Sequence, residues 1–175
     1  MKKLADFVVF GAVFIALCAV SLSIETNQLL GIPLNSPSVY IFIFGATLLQ
    51  YNLHYLFKKG TVTDSVRDNW SQSNKLIQKL LIITGLLMIG FSVWSLESRH
   101  FGVLVVLAVL ASLYSLPILP FKRKRLKEYG LLKIILLSLE WTLVTVWFPA
   151  DHSGTDPTSY SLVFVPPFLF MFALC

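Results

Sequence analysis

Six apolar stretches divide this chain, at residues 7–24, 39–57, 80–96, 101–121, 134–150 and 158–175, and the Lys and Arg residues between them fall almost entirely in alternate links. A membrane-spanning helix needs ~20 mainly apolar residues, with about 17–25 tolerated, and all six stretches lie near that length. Let the N-terminus be cytoplasmic. The inside segments then carry Lys2 and Lys3, next Lys58, Lys59, Arg67, Lys75 and Lys79, and last Lys122, Arg123, Lys124, Arg125, Lys127 and Lys133. Of the 14 Lys and Arg residues, Arg99 alone falls outside. Cytoplasmic enrichment of Lys and Arg in short loops is the main orientation signal of membrane proteins. Apolarity alone sets the boundaries, so the charge pattern is an independent observation. The expected fold is all-α: one integral membrane helical domain over residues 1–175, with about six transmembrane helices and a cytoplasmic N-terminus. The expected location is a bacterial inner (cell) membrane.

Composition agrees with that reading. The chain is 56% hydrophobic and 13% charged, against about a quarter charged in soluble domains. The net charge of +5 follows from the inside loops, so membrane lipids rather than nucleic acid are the expected partners. Cys18 and Cys175 both lie in apolar stretches, and no disulfide is expected. The first stretch exceeds the ~7–15 apolar residues of a signal-peptide core. Leu17 stands where lipoprotein cleavage before Cys18 wants a small residue, so this stretch reads as an uncleaved span. The sixth stretch stops at Cys175 with no polar flank, which gives the expectation of the N-terminal part of a larger bundle.

Polar groups inside a span are costly and face a cavity or a neighbouring helix. The second stretch ends GATLLQYNLHYLFKKG. At helical spacing Gln50, His54 and Lys58 share one face, and Asn52, Tyr55 and Lys59 share another. His54 fits the headgroup region by itself; Asn52, one turn deeper, suits either an interhelical hydrogen bond or a ligand. Glu140 stands in the middle of the fifth stretch. An ionised carboxylate there costs about 2–3 kcal/mol or more on insertion scales, so it must be protonated, paired or open to a wet cavity. Its reading stays open between a bond joining helices and a functional group, with Lys133 two turns away on the same face. Pro117 and Pro120 end the fourth stretch, and the Lys122–Lys127 cluster follows at the membrane surface. That cluster reads as a topology anchor or as an anion site.

Phosphate-loop, zinc-protease and paired-cysteine motifs are absent. The histidines are dispersed at 54, 100 and 152. Asp64 and Asp68 are one helical turn apart, but Arg67 between them favours a solvated face. A short amphipathic helix is expected around Val66 and Trp70. No metal site is read from the residues, and no cofactor is evident.

The segment YSLPILPFK, Tyr114 to Lys122, resembles the Y-S-x-P-P-L-x-L-K segment of the UbiA superfamily of intramembrane prenyltransferases. Tyr114, Ser115, Pro117, Leu119 and Lys122 match in register, and Ile118 replaces the second proline. The stretch GLLKIILLSLEWTLVTVWFPA resembles the fifth helix of divergent members. The resemblance implies the N-terminal part of a helical ring around a central cavity. It also implies prenyl transfer from a prenyl diphosphate, with magnesium as the cofactor of an active member. Carried over residue by residue, Asn52, Tyr114, Lys122 and Arg123 would bind substrate. Asn52 occupies the asparagine place of the aspartate-rich motif, but Leu53, Leu56 and Gly60 stand at its three aspartate places. Magnesium requires hard oxygen ligands, which these side chains lack. The resemblance therefore carries the architecture, with impaired catalysis. The alternative is a non-enzymatic membrane protein acting in lipid binding, transport or assembly.

Overall fold

The computed structural model describes residues 2–56, 66–96, 100–115, 130–152 and 164–174, and among these the structure is all-helical. The elements are α1 (Lys2–Phe10), α2 (Val13–Leu29), α3 (Pro37–Leu56), α4 (Val66–Ser73), α5 (Lys75–Val93), α6 (Phe101–Ser115) and α7 (Gly130–Thr142). A π-helical turn (Leu143–Trp147) leads into α8 (Phe148–His152), and α9 (Val165–Leu174) closes the described chain.

Among the described residues, two helical stretches are long and apolar enough to cross a membrane, Lys75–Val93 and the continuous Ile134–Asp151. The pair α1 and α2, bent by 54°, makes a third if it is one span. α3 has the length, but Gln50, Asn52 and His54 dilute its apolarity. It is the helix most enclosed by others, packing chiefly on α5 and α2. The apolar run 101–121 is seen as α6 to Ser115, apolar over Phe101–Ser112. Of the run 158–175, the described helix is the ten-residue α9, which rises about 15 Å.

Glycine sets the close contact of α3 with α5. A Cβ on Gly85 would lie 2.8 Å from the Gly45 carbonyl oxygen, and one on Gly45 would lie 2.8 Å from Met88 Cβ. Removing both side chains lets α3 and α5 touch backbone to backbone, the device of small residues at intramembrane interfaces. On α2 the buried Ala16, Ala19 and Ser23 serve the same purpose.

Two core clusters show the direction of each helix. One joins the start of α3 (Val39, Phe42, Ile43) to Leu96 after α5, to Ala19 and to Phe148, with Val103 of α6 and Trp141 packed beside it. The other joins Ala16, Leu48 and Leu81, with Phe7, Val13 and Ile77 beside it. The C-terminal end of α5 thus meets the N-terminal ends of α3 and α6. Consecutive long helices run in opposite directions.

Two departures from regular α-helix shape the bundle. Between α1 and α2, Ala12 adopts the left-handed conformation with φ 63°, which costs a residue with a side chain about 1–2 kcal/mol. Burial and an external donor hold it there. Ala12 is fully buried, and Asn52 Nδ2 donates to Gly11 O at 3.0 Å. The second departure from α-helix, which leaves the helix from Ile134 to Asp151 continuous, is the π-helical turn ahead of Pro149. Proline has no N–H for the carbonyl four residues back, here Thr145. The Thr26 hydroxyl donates to Thr145 O at 2.8 Å. α2 also extends five residues past the apolar run, to Leu29. Its polar end is used in packing, since Ser23, Thr26 and Asn27 are all buried.

Candidate functional site

A cavity of about 640 Å³ opens between α3, α5, α6 and α7, within the usual range of small-molecule sites, about 300–1,000 Å³. Its walls are mostly hydrocarbon. Phe42, Leu49 and Leu53 come from α3, Leu104 and Ala108 from α6, and Leu137 and Val144 from α7 and the turn after it. Along α3 the lining runs from Phe42 to Tyr55, roughly 20 Å of helix. The cavity is therefore long enough for an extended alkyl or isoprenoid chain.

Polar groups enter it at particular heights. Thr47, Gln50 and His54 line it from α3, Ser112 from α6 and Glu140 from α7. Gln50 Nε2 donates to Glu140 Oε2 at 3.4 Å, joining residues ninety positions apart. Glu140 is thus hydrogen-bonded between helices, and its side chain also lines the cavity. The Lys133 side chain lies outside the described residues. His54 lines the same wall and meets Tyr55 edge to face, with ring centroids 5.2 Å apart.

Asn52 points to another part of the bundle. It is 1% exposed, and its amide nitrogen donates to Gly11 O at 3.0 Å and Leu48 O at 2.8 Å. It is not among the residues lining the cavity. The helical spacing that separated Gln50 and His54 from Asn52 is seen directly: one face meets the cavity, the other the α1–α2 break. Tyr55 lines the cavity with the first group. Tyr114 lies in the last turn of α6, with its side chain outside the described residues. Lys122, Arg123 and the rest of the basic junction lie outside them too, as do Lys58, Lys59, Gly60 and Asp64.

α4 has the expected place around Val66 and Trp70 but a different surface. Trp70 packs on Phe10 with ring centroids 5.9 Å apart, whereas Val66 is exposed. Asp68, expected on a solvated face, is 5% exposed. Arg67 stacks on Tyr55, its guanidinium carbon 4.1 Å from the ring centroid and 5.8 Å from that of Tyr51. Such stacking favours Arg by about 0.5–1 kcal/mol when exposed, and more when desolvated.

At the opposite end of the bundle, His100 Nδ1 lies 2.7 Å from Asp151 Oδ2. The His100 side chain is fully buried and Asp151 is 22% exposed. His100 also meets Phe148 edge to face at 6.1 Å. Beside it, Asn35 Nδ2 donates to Pro149 O at 3.1 Å and lies 3.3 Å from Asn27 Oδ1, and Asn27 donates to Pro33 O at 2.6 Å. Sequence reasoning missed this network. The available signal was that the six-stretch reading expects His100 and Asp151 in links on one side of the membrane. Among the described residues, no three His, Cys, Asp or Glu side chains gather as a metal-binding group.

Compared with known proteins, the chain matches no protein-family profile, no curated protein and no solved structure.

Proposed function

We propose that this chain is a multi-pass protein of the bacterial inner membrane that holds an isoprenoid or another lipid in its interhelical cavity. In this reading the six apolar stretches are six spans with a cytoplasmic N-terminus. The bundle is built like the front part of a UbiA-type ring, and prenyl transfer is its ancestral chemistry rather than its present one. The observation that carries the lipid-binding reading is the cavity: about 640 Å³, hydrocarbon-walled, with the Gln50–Glu140 pair as its internal polar contact. A lipid needs an apolar volume of this length and few hydrogen-bonding groups to orient it.

The distribution of residues supports immersion in lipid. Leu80, Ile83, Leu86, Leu87 and Phe91 of α5 are exposed, whereas Asn27, Asn52, Gln78, Ser92, Ser138 and Thr145 are buried. In hydrocarbon, polar groups must find partners inside the protein. Ser92, Ser138, Thr142 and Thr145 each donate to the carbonyl four residues earlier in their own helices.

The residues present do not suit magnesium-dependent ionisation of a diphosphate. Leu53, at the first aspartate place of the resemblance, is a hydrocarbon wall of the cavity, and Asn52 is buried away from that cavity with its amide nitrogen donating to Gly11 O and Leu48 O. The test is direct. The protein is purified in a mild detergent, its bound lipids are extracted and identified by mass spectrometry, and it is incubated with a prenyl diphosphate, magnesium and aromatic acceptors. The expected result is a co-purifying isoprenoid or lipid, lost when Ala108→Trp fills the cavity, and no magnesium-dependent product. A product that forms with magnesium and disappears in Asn52→Ala would make the chain a working transferase.

A further inference from the structure

Glu140 has more bonding capacity than its neighbour uses. Among the described residues its hydrogen-bond partner is Gln50, with Nε2 at 3.4 Å from Oε2, a long distance for such a bond. An ionised carboxylate accepts about four hydrogen bonds over its two oxygens, and this carboxyl lines the cavity. A bond to Gln50 alone could be made by a neutral Gln or Ser, at far lower cost than a carboxyl inside an apolar helix. What a carboxyl offers and those residues lack is negative charge. The rest of the lining agrees with a positive guest. Among the described residues no Lys, Arg or second carboxyl lines the cavity, and Arg67, stacked on Tyr55, is not in the lining. Trp141, next in the chain to Glu140, lines it as well, and indole is the ring that attracts an ammonium best. The pair also stands inside the cavity rather than at its end. From Gln50 back to Phe42 on α3 the lining continues for roughly 12 Å, with hydrocarbon walls that end at Phe42 and Phe101.

We propose that the cavity binds a single-chain amphiphile headed by a primary amine, with its ammonium on the Glu140 carboxylate and its tail along the wall toward Phe42 and Phe101. The inference rests on the lipid-binding reading above and adds the head chemistry to it. A buried ammonium needs a paired carboxylate. Its three N–H donors can reach a carboxyl oxygen and the Gln50 amide oxygen together, while Gln50 Nε2 keeps its bond to Oε2. An amine that arrives neutral takes the proton of the neutral carboxyl, and an ammonium meets the carboxylate directly. Both routes end in the same ion pair and need no further reactant.

Calorimetric titration of the purified protein in a non-ionic detergent at neutral pH separates the parts, using dodecylamine, dodecanol, dodecanoate and methylammonium as probes. Dodecylamine should bind more tightly than the other three. Glu140→Gln keeps the shape and should weaken it by about tenfold or more, to the level of dodecanol, while leaving dodecanol unaffected. Glu140→Asp keeps the carboxyl on a shorter arm, guards against a folding failure, and should fall between. Ala108→Trp should weaken dodecylamine and dodecanol alike. Equal binding of dodecylamine by wild type and both Glu140 variants would overturn the ammonium site, as would dodecanol or dodecanoate binding wild type as tightly as dodecylamine. The cavity reading is then judged separately, by whether Ala108→Trp weakens dodecanol. Methylammonium binding as tightly as dodecylamine would overturn the amphiphile and make Glu140 a site for small free amines.

Discussion

Glu140 shows how a single residue is settled by its neighbour. A carboxyl group in the middle of an apolar helix must meet a donor, shed its charge or face water. Gln50 Nε2 at 3.4 Å supplies a donor, and the cavity supplies space. Glu140→Gln keeps the shape and an acceptor oxygen, so thermal unfolding in detergent should move little, by less than about 0.5 kcal/mol. Glu140→Leu removes the acceptor and leaves the Gln50 amide beside hydrocarbon. It should cost about 1 kcal/mol, the middle of the range for such bonds. A large loss from the Gln substitution, recovered on adding Lys133→Met, would mean that Glu140 works as an anion paired with a cation.

At the scale of elements, two contacts carry sharp expectations. The first is the π-helical turn. Pro149 withholds an N–H from Thr145, and the Thr26 hydroxyl reaches that carbonyl from α2. Thr26→Val keeps the shape without the donor and should destabilise by about 1 kcal/mol. Pro149→Ala supplies a backbone N–H in its place, so in that background the Thr26→Val penalty should shrink. A double-mutant cycle by thermal denaturation measures this coupling, and strict additivity would count against it. The second contact is Gly85 on Gly45. Any Cβ at Gly85 presses on the α3 backbone at 2.8 Å, where no side-chain rotation relieves it. Gly85→Leu should therefore force α3 and α5 apart. The expected readout is loss of the monodisperse peak in size-exclusion chromatography, whereas Gly90→Leu, with nothing within 4 Å of its Cβ, should elute unchanged.

For the whole molecule the principal expectation is topology. On the thirteen-to-one division of basic charge, residues 58–79 and the N-terminus should lie on one side and residues 151–157 on the other. In a chain without Cys18 and Cys175, single cysteines at Thr63 and at Asp156 should react with a membrane-impermeant maleimide from opposite sides. Asp156 is the better choice over Asp151, which is held by His100 at 2.7 Å. Labelling of both from one side would break the six-span reading, while leaving the helices and the cavity as described.

Much of the architecture was legible in the residues, for a physical reason. Apolar length and helical period are local properties, so the all-helical class and the positions of α3, α5, α6 and α7 follow from short windows of sequence, whereas the stretch 7–24, expected as one span, is divided between α1 and α2 by the bend at Ala12. The division of α3 into two polar faces was equally local, since a 100° step per residue separates Gln50 and His54 from Asn52. Which partner each face meets is a long-range matter, and only the tertiary structure decided it. It gave Asn52 to a carbonyl freed at Gly11, forty-one residues away, and Gln50 to Glu140, ninety away. It placed Asp68 in the interior, and brought His100 to Asp151. It also put Arg67 against tyrosines that wall the cavity. No sequence window contains such pairs, because each is made by packing helices that are remote in the chain. The charge pattern carries an expectation of which way this chain would lie in a membrane; the packing determined where its interior opens and which polar groups face into it.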